Sequence, residues 1–328
     1  MQLLFVDFIE LFGALSYLTV LTIIFASRNA SFNSAFYMIY FSTGVFDILG
    51  IITNWIIRHF ICANCSTRPD FPIMTRIVGN FTYVSIEANL FGNFFLAATR
   101  LTAIKFPSDH KKIWSDRTVK AAIITQSVVS LILYCYLPFV YYEEQTLPDG
   151  RVQPGKLAIV PFLIARTTVT ISCLLYLVGS TGMNISTLIA LSKHRKLGME
   201  LQSKDKSLLY YTIFIAIICS LMCIQQIARI YALFIKNDKN LDNWLLDQQI
   251  WISDILNISP PFVLTIFSKD IRIKIIHIFC AKSSNVIESE LTIPTNNSIR
   301  TSNNQAKAMV GQPDPGYNYR PRTPTNIE

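Results

Sequence analysis

Charged side chains are scarce in this sequence. Only 15% of its 328 residues are Asp, Glu, Lys or Arg, where a soluble domain carries about a quarter. That deficit excludes an ordinary soluble domain. Histidine is scarcer still: His59, His110, His194 and His277 are the whole complement, all in polar connections or beyond the apolar stretches. The sequence has no Gly-x-Ser-x-Gly, no His-Glu-x-x-His and no paired metal ligands within its apolar stretches, which argues against an intramembrane enzyme. Its basic residues flank apolar stretches and form no stripe on a soluble face, so the formal charge of +8 does not point to nucleic acid.

Apolar sequence is what the chain has in excess, with 51% hydrophobic residues and a mean hydropathy of +0.38. Seven apolar stretches run at 4–25, 35–57, 78–104, 118–141, 157–191, 207–234 and 244–267. Each has about 20 residues or more, enough at 1.5 Å per helical residue to cross a hydrocarbon core of roughly 30 Å. In lipid every backbone N–H and C=O must be satisfied within the segment, which selects helices. The expectation is an all-α membrane protein, a bundle of seven transmembrane helices over residues 1–282. An odd number of crossings puts the two ends on opposite sides.

Lysine and arginine set the direction. With the N-terminus outside, the inner segments hold Arg28, Lys105, Lys111, Lys112, Arg117, Lys120, Lys193, Arg195, Lys196, Lys204, Lys206, Lys269, Arg272, Lys274 and Lys282. The outer ones hold Arg58, Arg68, Arg76, Arg151, Lys156, Lys236 and Lys239. That bias favours the N-terminus outside. The start has no basic n-region, and Asp7 and Glu10 stand where one would be, so the first span is read as an uncleaved anchor with a very short outer tail. Any ligand site is then expected among the helices or their outer loops.

Cys135, Cys173, Cys219 and Cys223 fall within spans, where cysteine packs as a small apolar residue. Cys62 and Cys65 fall in the first outer loop, where a disulfide between them is one of several pairings open to them. Asn64 heads a glycosylation sequon in that loop; Asn80 heads a second, too close to the membrane to be a strong acceptor. Cys280 follows a basic amphipathic stretch, and is either palmitoylated or a plain thiol.

Ionisable residues inside a membrane are costly and face the bundle interior. Here they are Asp47, Glu87, Arg100, Arg166, Arg229 and Asp254. At the helical rise, Glu87 lies about 14 Å below the outer surface, Arg166 about 12 Å, Arg229 about 8 Å and Asp254 about 15 Å. Gln225, Gln226, Gln248 and Trp251 are near them in sequence. Glu87, Arg166, Gln226, Arg229, Trp251 and Asp254 are therefore the candidate ligand-binding residues of an outer cavity. The competing reading is a set of structural ion pairs, Glu87 with Arg166 and Asp254 with Arg229. Asp47 and Asn257 sit at comparable depth, suiting a polar link between spans two and seven that either rearranges or is static. Pro260 and Pro261 remove backbone donors from span seven and are expected to kink it. The basic and apolar alternation after span seven suits a short helix on the inner membrane surface. Arg100, at the inner end of span three, either meets a cytoplasmic partner or snorkels to the interface.

The run from Arg100 through Phe106-Pro107 to Lys112-Ile113-Trp114, with Ser259-Pro260-Pro261 and Phe267-Ser268-Lys269-Asp270-Ile271-Arg272, resembles the nematode serpentine chemoreceptors. The stretch 34–55, with Phe36-Tyr37 and Phe46-Asp47-Ile48, fits the same pattern. The similarity is greatest to the gamma-type superfamily, classes gamma and v, and extends to about residue 280. The resemblance implies a rhodopsin-like G-protein-coupled receptor of the plasma membrane of sensory neurons or their cilia, with a small-molecule ligand and a heterotrimeric G protein as partners. It implies coupling roles for Arg100, Lys105 and Pro107, and a conformational switch at Asp47, Asn257, Pro260 and Pro261. It implies no cofactor. Three features depart from the rhodopsin-like pattern: Thr99 rather than an acid precedes Arg100, span six has no proline, and the second outer loop has no cysteine.

The rival reading is a seven-span transporter or channel for small solutes. Transporters commonly repeat broken helices at matching places in two halves; the paired prolines occur once here, and the halves do not match. Residues 283–328 are rich in Ser, Thr, Asn and Pro and poor in large apolar side chains, as expected of a disordered cytoplasmic tail. Its Ser283, Ser284, Ser289, Thr292 and Thr295 are either phosphorylation sites or unmodified.

Overall fold

The computed structural model describes residues 2–276, apart from 27–31, 33, 62–70, 141, 147–151, 158, 197–202 and 237. Cys62, Asn64, Cys65, Cys280 and the tail lie outside the described residues. Seven long helices form the bundle: α1 (Gln2–Ala26), α2 (Ala35–Ile56), α3 (Phe71–Lys105), α5 (Asp116–Tyr134), α6 (Ile159–Lys196), α7 (Ser203–Ile230) and α8 (Lys239–Phe267). A four-residue helix α4 (His110–Ile113) follows α3, and residues 269–276 are helical after α8. The chain is thus an integral, multi-pass membrane protein.

Each long helix occupies one expected apolar stretch, and all but α2 overrun theirs at one or both ends. Five carry windows long and apolar enough to cross a membrane by themselves: Val6–Ala26, Ala35–His59, Asp116–Phe139, Leu163–His194 and Lys206–Ile235. The helix α3 is diluted by Asn80, Glu87, Asn89, Asn93 and Arg100, all buried, and in α8 the apolar part is confined to Trp251–Phe267. Two helix ends widen into π turns, Ile57–Ile61 after α2 and Tyr231–Ile235 after α7. Between α5 and α6 the chain forms an antiparallel hairpin, β1 (Tyr142–Thr146) and β2 (Val152–Leu157).

Helix α3 is the hub, packing on α2, α5, α6 and α7. Small residues let it approach. A Cβ on Gly92 would meet the Thr43 side chain of α2 and lie 2.7 Å from Gln126 Nε2 of α5. Gln126 in turn donates to Thr43 Oγ1 at 3.1 Å and to the Ala88 carbonyl at 2.9 Å. One glycine therefore joins three helices at a polar contact, where apolar packing alone gives little orientation in lipid.

The helix α8 runs through Pro260 and Pro261 to Phe267. Each proline removes one backbone donor, and the Pro261 carbonyl accepts from Thr265 Oγ1 at 2.7 Å. The helix continues through both prolines without a break.

Candidate ligand pocket and inner face

The six intramembrane charges do not converge on one cavity. Asp47 on α2 is fully buried; it accepts from Tyr17 of α1 and from Asn89 Nδ2 of α3. Asn93 Nδ2 extends that chain, donating to Asn89 Oδ1 at 2.7 Å. The expected link between spans two and seven exists, but Asn54 makes it, donating to Asp254 Oδ1 at 2.8 Å and Ser253 Oγ at 3.2 Å. Asn257 packs beside Gly50, where a Cβ would come within 2.5 Å of its Nδ2.

The ion pairs differ from those expected. Arg166 on α6 donates to Asp242 Oδ1 at 2.9 Å, and Arg229 Nε on α7 to the same oxygen at 3.3 Å. Arg229 also reaches Gln249. Asp254 takes Arg58 at 2.6 Å, and the same guanidinium pairs with Glu10 of α1. Beside it His59 Nε2 meets Asp7 Oδ1 at 2.6 Å. Neither Glu87–Arg166 nor Asp254–Arg229 is a pair. These partners escape the reading of the sequence because Arg58 and Asp242 fall just outside the second and seventh apolar stretches, and Glu10, though inside the first, is not among the residues counted there as buried charges. In fact α8 starts at Lys239 and puts Asp242 in its first turn, and the π turn after α2 carries Arg58 back over the bundle. Of the other candidates, Gln226 donates to Gln225 Oε1 at 2.9 Å, and Trp251 is 48% exposed, away from the buried groups.

Glu87 stands apart from these pairs. It is fully buried, and its Oε2 accepts from Tyr134 Oη of α5 at 3.0 Å. It lines a pocket of about 310 Å³ with Leu90, Phe91, Phe94, Phe95, Ser172, Leu175 and Tyr176. The α3 members follow i, i+3, i+4, i+7, i+8, one stripe of a helix; the α6 members follow i, i+3, i+4. This stripe was the available sequence signal, and it adds four aromatic rings that charge alone did not reveal. Gly179, one turn along α6, leaves room for Phe94, whose Cε2 would lie 2.6 Å from a Cβ there. At the rim Leu175 is 69% exposed, so the pocket opens on the flank of the bundle between α3 and α6.

At the inner end Arg100 is only 4% exposed and lies over the Phe36 ring, 4.7 Å from its centroid. Burial rules out the snorkelling arrangement. The segment beyond it is pinned. Thr102 Oγ1 accepts from Trp114 Nε1 at 2.8 Å and lies 3.0 Å from His110 Nδ1, while His194 Nε2 of α6 donates to the Ile104 carbonyl at 3.0 Å. Lys105, Phe106 and Pro107 are left exposed.

A family model described as "Srg family chemoreceptor" matches residues 8–275, which takes in all seven long helices from near the start of α1 to the helical turn after α8. A relative from Caenorhabditis elegans, serpentine receptor class gamma-31, is 26% identical over 284 residues, covering 79% of this chain and 86% of its own length.

Proposed function

Because this chain belongs to the Srg chemoreceptor family, we propose that it detects a small-molecule cue and signals it to a heterotrimeric G protein. The family match across the whole bundle is the observation that carries this reading. Ligand binding is assigned to the pocket at Glu87, an intramembrane acid that lines a cavity and is held by a tyrosine rather than a cation. The Arg166–Asp242–Arg229 and Arg58–Asp254 groups act as clamps that fix helix order, because their charges are already engaged by one another.

Coupling is assigned to Arg100, Lys105 and Pro107. Lys105 and Pro107 are exposed where a cytoplasmic partner would dock, and Arg100 precedes them on α3, buried over the Phe36 ring. Activation is a population shift: a ligand that prefers a packing in which Arg100 leaves Phe36 would expose its guanidinium. Asp47, Asn257, Pro260 and Pro261 belong to the polar and backbone-deficient layer that would rearrange between the two packings. The proposed setting is the plasma membrane of sensory neurons or their cilia, with Asn64 glycosylated outside and Cys280 palmitoylated inside.

The test is a G-protein reporter in cells exposed to a broad panel of small molecules, with wild type compared to Arg100→Ala at matched surface expression. The expected result is a response in wild type and little or none in Arg100→Ala. Full signalling by a well-expressed Arg100→Ala would overturn the coupling role.

A further inference from the structure

The Glu87 pocket carries chemical information about its occupant. It has one buried carboxyl group and a wall of hydrocarbon: Leu90, Phe91, Phe94, Phe95, Leu175 and Tyr176. Oε2 is held by Tyr134, while Oε1 makes no hydrogen bond among the described residues. The Ser172 hydroxyl lies close enough to interact with the carboxyl, yet it is neutral. The arginines at similar depth are occupied elsewhere, Arg166 and Arg229 by Asp242, and Arg58 by Glu10 and Asp254.

A buried carboxylate without a counter-charge is unfavourable, and a matched cation with hydrogen bonds relieves it. Aromatic faces add attraction for the same cation. A carboxylate or phosphate ligand would instead meet like charge in an apolar surround. We infer that the pocket between α3 and α6 binds an apolar primary or secondary amine, its ammonium on Glu87 Oε1 and its hydrocarbon among Phe91, Phe94 and Phe95. The inference rests on the reading of this pocket as the ligand site. The exposed rim at Leu175 lies within the segment Leu163–His194 that crosses the membrane, so the mouth faces hydrocarbon and favours amphiphiles that partition into it. The volume, about 310 Å³, is at the small end of ligand cavities.

The test uses the purified full chain in lipid nanodiscs, with thermal stabilisation by hexylamine and 2-phenylethylamine measured against hexanol and 2-phenylethanol. The amines should stabilise wild type at lower concentration than the matched alcohols. In Glu87→Gln their apparent affinity should fall by about tenfold or more. Leu175→Trp, which keeps Glu87 and fills the mouth, should weaken the amines as well and guards against a folding defect in Glu87→Gln. Equal stabilisation by amine and alcohol, or amine binding unchanged in both variants, would overturn the inference. Binding is read without a G protein, so the two readings fail separately. Glu87-dependent amine binding without G-protein activation would uphold the site and sink the receptor reading. Activation by other compounds, insensitive to Glu87→Gln, would do the reverse.

Discussion

Arg100 of α3 rests on the ring of Phe36 of α2, with the guanidinium 4.7 Å from the ring centroid. Residue 99 is threonine, and its hydroxyl donates to the Leu96 carbonyl at 2.7 Å. The arginine is therefore restrained by a neighbouring helix, not by an acid beside it in sequence. A cation–π contact shielded from water contributes about 1 to 2 kcal/mol.

Phe36→Leu should loosen this restraint. Losing about 1 kcal/mol from the resting packing multiplies the active fraction about fivefold. Ligand-free G-protein activation should rise by that order, measured at matched surface expression. Basal signalling equal to wild type would show that the contact does not bias the equilibrium.

Asp242→Asn should be severely destabilising, because Asp242 is the shared partner of Arg166 and Arg229. Removing it leaves two buried guanidiniums without their carboxylate, a loss of about 3 to 5 kcal/mol. Asp254→Asn should cost less, since Arg58 keeps Glu10. The check is the thermal midpoint of detergent-solubilised protein by fluorescence-detected size exclusion. Asp242→Asn should fall well below Asp254→Asn, and the opposite order would contradict the clamp.

Gly92→Ala should disturb the junction of α2, α3 and α5, because its methyl group meets Thr43 and Gln126. Overpacking of this kind costs about 1 to 3 kcal/mol. Adding Thr43→Ala removes part of the obstruction, so the double variant should recover some of the lost midpoint. Additive losses in the double variant would mean that the clash is not with Thr43.

The seven spans were legible because length and apolarity are properties of each segment alone. Even α3, diluted by three asparagines and two charges, keeps a long run that no soluble loop would show. Partners were not legible. Whether Arg166 meets Glu87 or Asp242 depends on how α6 is rotated and on which helix stands beside it, and neither is encoded locally. Arg58 and Asp242 were misplaced for a simpler reason: helices continue past the apolar stretch, so polar residues at their ends fold inward. Glu87 was found from its charge. Its aromatic pocket was not, although the spacing of Leu90, Phe91, Phe94 and Phe95 along α3 was there to be read.

Asp47 joins α1, α2 and α3 through Tyr17 and Asn89. Tyr17→Phe removes one donor to a buried carboxyl group and should lower the thermal midpoint by the equivalent of about 1 to 3 kcal/mol. In Asp47→Asn the same Tyr17→Phe change should cost less, which a double-mutant cycle would read as a coupling energy. A cycle with no coupling would place the Tyr17 hydroxyl outside the network.

A receptor bundle transmits a signal and does not carry a solute. The most direct measurement is the full chain reconstituted in sealed vesicles with a heterotrimeric G protein outside, challenged with an activating compound from the cell panel. Nucleotide exchange and uptake of the labelled compound are recorded in the same preparation. A receptor should give compound-dependent exchange that is lost in Arg100→Ala, with no accumulation of the compound beyond empty vesicles. Protein-dependent accumulation without nucleotide exchange would contradict the receptor reading.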